Sequence, residues 1–68
     1  MNAWSADDTA SFIRSRDLAG PAAVLFASGV NGEDLLALNE EALAADVRLT
    51  PFAAKTVIRA RDQFLGGK

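Results

Sequence analysis

The sequence predicts an all-α fold of five helices, with the longest at the C-terminus. Three observations carry that expectation. Helix-start signals recur roughly every ten residues, no run alternates apolar and polar side chains over the length of a strand, and Val, Ile and Thr are too scattered to build a sheet.

The elements follow in order. Ser5-Ala6-Asp7-Asp8 has the spacing of a capping box, with a hydroxyl for an early amide and a carboxylate to answer the cap's own N–H. The helix it opens should run to about Arg16 with Phe12 and Ile13 inward and Arg14 and Asp17 outward, Trp4 lying just before the cap. Gly20-Pro21 then opens a second helix, because proline lacks a donor that the first helical position does not use. Its inward residues are expected to be Leu25 and Phe26. Gly29 is placed to end it in the left-handed conformation, and Asn31 to cap a short third helix with Asp34 three residues on. Leu35, Leu36 and Leu38 are expected on that helix's core face. Asn39 followed by Glu40 and Glu41 repeats the start signal for a fourth helix to about Ala45, with carboxylates where the helix dipole favours them. Thr50-Pro51 starts the last helix, which should end at Gly66-Gly67.

The length of 68 residues leads to the expectation of one small domain over 1–68, with its core between about residues 4 and 65. Half of its residues are hydrophobic, but fourteen of these thirty-four are alanine, which leaves twenty larger side chains for one core. A domain of this size buries only about 60% of the surface its unfolded chain exposes, so helix packing or a partner must stabilise it. There is no Cys, His or Tyr, which removes the usual zinc sites, thiol and imidazole catalysis and phenolic acid-base chemistry. Neighbouring carboxylates such as Glu33/Asp34 or Glu40/Glu41 would point about 100° apart on a helix and make no catalytic pair. The expectation is therefore a non-enzyme with no cofactor and no metal. Met1 to Ser5 carries no charged stretch leading into an apolar run, and no segment is apolar enough for a membrane span. A soluble chain is expected, and the lack of Cys fits a reducing, cytoplasmic location.

Charge is divided along the chain. Residues 1–46 hold eight carboxylates against Arg14 and Arg16, a net charge of −6, whereas residues 47–68 hold five cations against Asp62, a net +4. Between residues 30 and 46 stand Glu33, Asp34, Glu40, Glu41 and Asp46 with no cation among them. On the last helix Ala54, Val57, Ile58 and Leu65 share one stripe, read as the core face, while Phe52, Lys55 and Arg59 lie on the other side. Arg48 stands just upstream and can join them. Arg61 falls within the apolar stripe and is expected to lie along the core's edge rather than in a site.

From Trp4 to about Leu65 the order of these pieces resembles a sterile alpha motif (SAM) domain. Trp4-Ser5, Asp8 and Phe12-Ile13 look like that family's opening helix, and Leu18 and Phe26 like its next anchors. Gly29-Val30-Asn31-Gly32-Glu33-Asp34-Leu35-Leu36-Ala37-Leu38 is similar to its central turn and leucine pair, with Asn31 in place of the usual Asp. Asn39 to Leu43 resembles its fourth-helix start. Two pieces depart from the pattern: Ala45-Asp46-Val47 stands where the family usually has Leu-Gly-Ile, and Thr50-Pro51-Phe52 where it often has Leu-Gly and a basic residue.

The resemblance implies a compact five-helix bundle acting as an interaction module. Many SAM domains join an acidic mid-loop surface to a basic end-helix surface, and such head-to-tail pairing of unlike patches propagates into a helical filament unless it closes. Here it implies an acidic face of Glu33, Asp34, Glu40, Glu41 and Asp46 and a basic face of Arg48, Phe52, Lys55 and Arg59, with Phe52 as the apolar anchor. The expected partner is a second copy of the chain or a SAM domain of another protein. Other family members bind RNA hairpins or lipid. For this chain, three cations near the last helix start and a net charge of −2 argue against nucleic acid, and no basic amphipathic surface favours a membrane.

Overall fold

The computed structural model describes residues 1–66, in which the chain is all-helical: α1 (Ala6–Arg14), α2 (Ala19–Ala27), α3 (Gly32–Ala37), α4 (Glu40–Ala45) and α5 (Pro51–Phe64). The caps of four helices are those the sequence predicts. Ser5 and Asp8 form a reciprocal capping box at α1, each N–H to side-chain bond being 3.1 Å long. Asn31 and Asp34 form a second box at α3, where the Asp34 N–H donates to Asn31 Oδ1 over 2.8 Å. The Asn39 side chain caps α4 through the Ala42 N–H, and Thr50 caps α5 through the Ala53 N–H with Pro51 at the first helical position.

Two boundaries differ from expectation. Helix α1 stops at Arg14 rather than Arg16, because the Ser15 hydroxyl donates to the Phe12 carbonyl and Asp17 turns left-handed at φ 62°. Helix α2 starts at Ala19, ahead of Gly20-Pro21, with Leu18 as an N-cap that has no side-chain acceptor. Pro21 therefore sits at the third helical position, where an N–H would still lack an intrahelical partner. Gly29 ends α2 at φ 73° as expected. Gly66 follows α5 at φ 81°, while Gly67 and the counted charge of Lys68 lie outside the described residues.

Each helix contributes one large apolar side chain that is wholly buried, Ile13, Leu25, Leu35, Leu43 and Val57, and α1 also buries Thr9, whose hydroxyl donates to the Ser5 carbonyl. Burying each apolar one from water contributes about 1.5–3 kcal/mol, and Ala10, Ala22 and Ala54 let the helices approach closely around them. Val30, Val47 and Leu49 close the core from the connections between helices. Three side chains expected inside are not. Phe26 is 53% exposed, Leu36 38% and Leu65 53%. On α2 and α3 the adjacent Leu25 and Leu35 take the inward direction, which turns the following residue about 100° away. Leu65 lies past the end of α5, and Ala60 extends the buried stripe of Ala54 and Val57 instead.

The N-terminus straps the bundle. The Trp4 N–H donates to the Met1 carbonyl and the Gly32 N–H donates to the Trp4 carbonyl, which lays residues 1–4 over the start of α3. The Trp4, Phe12 and Phe64 rings then meet with centroids 5.0–5.2 Å apart, joining the strap to α1 and to the last turn of α5. Among the described residues no helix is long and apolar enough to cross a membrane.

Candidate functional site

The candidate basic residues run from just before α5 to its middle. Thr50 and Pro51 fix where the helix begins, so Phe52 occupies its first turn and projects to solvent, 77% exposed. Lys55 and Arg59 follow at spacings of three and four residues, which places them along the same side of the helix as Phe52, and both are exposed. Arg48 precedes the helix in the left-handed region at φ 67°. A non-glycine residue held there costs on the order of 1 kcal/mol, and an arginine is no better suited to it than most side chains. The cost sets Arg48 beside the helix head, exposed and, among the described residues, without a carboxylate partner.

The acidic residues are distributed over two helix starts and one helix end. Glu33 and Asp34 lie in the first turn of α3, Glu40 and Glu41 in that of α4, and all four are exposed. Asp34 is also committed to its capping box. The helix dipole alone accounts for carboxylates at these four positions. Asp46 is different. It is the C-cap of α4, where the dipole disfavours negative charge, and it has no cationic partner within ion-pair distance among the described residues. Of the five carboxylates it is the one for which folding gives no reason.

Arg61 lies where its place in the apolar stripe predicts, its side chain only 16% exposed. Its partners were not legible. Nη1 donates to the carbonyl oxygens of Leu35 (3.1 Å) and Leu38 (2.7 Å), and Nε and Nη2 clasp the Asp62 carboxylate at 3.1 and 2.9 Å. The guanidinium thus ties the end of the acidic α3 segment to the helix that carries the basic residues.

A second arginine was also missed. Arg16, expected to prolong α1, instead follows the helix end and lays its guanidinium over the Phe12 ring, 5.2 Å from the centroid. With Leu18 it forms one side of a shallow groove of about 260 Å³, whose other side is Thr56, Arg59, Ala60 and Gln63 of α5. The sequence signal was the Asp17 turn ahead of Leu18, which only the left-handed backbone makes visible. No protein-family model matches the chain, and neither does a curated protein or a solved structure.

Proposed function

We propose that this chain is an interaction module of the SAM type that self-associates head to tail, joining its acidic residues to the basic head of α5. The observation that carries the reading is Phe52: a phenylalanine 77% exposed, with Arg48 four residues before it, Lys55 and Arg59 three and seven residues after it, and no carboxylate paired to these cations among the described residues. Exposed aromatic residues and arginines are the residue types enriched at interfaces. Glu33, Glu40, Glu41 and Asp46, exposed and unpaired among the described residues, are the complementary partners on the next copy. Asp46 and Arg48 strengthen the reading, since both sit where the fold itself is slightly worse for having them.

An interface of this kind buries roughly 1,000 Å² in total. Phe52 and nearby aliphatic atoms hold it, while the charges set orientation and association rate. The two patches differ, so each copy keeps one free patch after pairing and growth continues unless the ring closes. Light scattering at several protein concentrations tests this. A mass that rises with concentration and falls with added salt supports the reading. A monomer at every concentration rejects self-association and points to a SAM domain of another protein.

A further inference from the structure

We propose that the groove between Arg16 and Arg59 is an oxyanion site that takes a phosphomonoester group. Its two sides come from elements far apart in sequence, the turn after α1 and the second half of α5, and each contributes one arginine. No carboxylate lines it, and neither arginine has an ion-pair partner among the described residues, in a chain whose carboxylates outnumber its cations.

The side chains favour a small dianion. Guanidinium groups present forks of N–H donors matched to carboxylate and phosphate oxygens, and two of them balance the charge of about −2 that a phosphomonoester carries near neutral pH. The Arg16 guanidinium rests on the Phe12 ring, which narrows the range of directions its side chain takes at the groove's edge. Gln63, one turn along α5 from Arg59, also lines the groove and carries an amide that can donate a hydrogen bond. Thr56 adds none, since its hydroxyl already donates to the Ala53 carbonyl over 2.8 Å. Leu18 and Ala60 contribute apolar surface beside the two arginines. The volume of about 260 Å³ lies just under the range of drug-sized pockets, which suits a phosphate group and a few attached atoms rather than a nucleotide. Arg59 also belongs to the basic face proposed above, but the oxyanion site stands on its own geometry and is read on the monomer.

Amide chemical-shift titration of the folded chain tests it with two probes: phenyl phosphate, and a short capped phosphoserine peptide alongside its unphosphorylated counterpart. Saturable shifts confined to residues 16–18 and 56–63 are expected, absent with the unphosphorylated peptide. Arg16→Gln and Arg59→Gln should each weaken binding about tenfold, the loss of one charge-assisted contact. Arg14→Gln, which removes an exposed cation outside the groove, should leave it unchanged. The tighter probe shows whether the group comes as a free ester or on a polypeptide. Absence of saturable shifts with both probes overturns the proposal, as does binding that survives either Arg16→Gln or Arg59→Gln.

Discussion

Arg61 closes the C-terminal end of α3 by donating to the Leu38 carbonyl oxygen over 2.7 Å, across 23 residues of chain. The same nitrogen reaches the Leu35 carbonyl, so one α5 side chain satisfies two of the acceptors that a six-residue helix leaves unpaired. Replacing it with Met keeps the stem and strands both carbonyls. Arg61→Met should cost about 2 kcal/mol, seen as a melting temperature lower by roughly 10 °C. Arg61→Lys should lose about half as much, because an ammonium lacks the fork that serves the carbonyls and Asp62 together.

Gly32 is required by the strap rather than by its own backbone. A Cβ there would overlap the Met1 carbonyl oxygen and crowd Cβ of Trp4 at 2.9 Å. Gly32→Ala should therefore displace residues 1–4 and destabilise the fold by about 1–3 kcal/mol despite alanine's better helix propensity. Trp4 is the one tryptophan of the chain, and its emission should shift to the red in this variant.

Phe52 should separate folding from the proposed association. Its side chain is 77% exposed, so Phe52→Ala should leave the unfolding midpoint within about 0.5 kcal/mol of the parent. Self-association should weaken about 30-fold, the loss of a hot spot of roughly 2 kcal/mol. Chemical denaturation and sedimentation on the same samples read the two effects separately.

Asp46 should move the two properties in opposite directions. Asp46→Asn removes a negative charge from the C-terminal end of α4 and should stabilise the monomer by about 0.5 kcal/mol. The same change should weaken assembly and flatten its salt dependence. Thermal unfolding and light scattering, each run across a salt series, check the pair.

The helix starts were legible because caps are local. Ser5, Asn31, Asn39 and Thr50 each bond an amide three residues away, well within one reading window. The start of α2 lies one or two residues ahead of the Gly20-Pro21 signal, because Leu18 caps the helix with no side-chain bond that the sequence could reveal. In short helices periodicity is a weak guide, and Phe26 and Leu36 were assigned inward beside the leucines that take the core. On the fourteen-residue α5 the same reasoning placed Ala54 and Val57 inside and Phe52 outside. Of the residues chosen as candidates, the structure gives their exposure and order along the chain. The long-range features were beyond reach: the Arg61 bonds to α3, the aromatic joint of Trp4, Phe12 and Phe64, and the groove that pairs Arg16 with Arg59.

The most direct test of two complementary faces is a mixing experiment with Lys55→Glu and Glu33→Lys, both changes at exposed residues with no ion-pair partner among the described residues. Each variant keeps one intact face and spoils the other, so each alone should scatter light as a monomer. Their equimolar mixture should form a dimer through the surviving faces and grow no further. Single variants that assemble like the parent chain, or a mixture that stays monomeric while the parent assembles, would contradict the account.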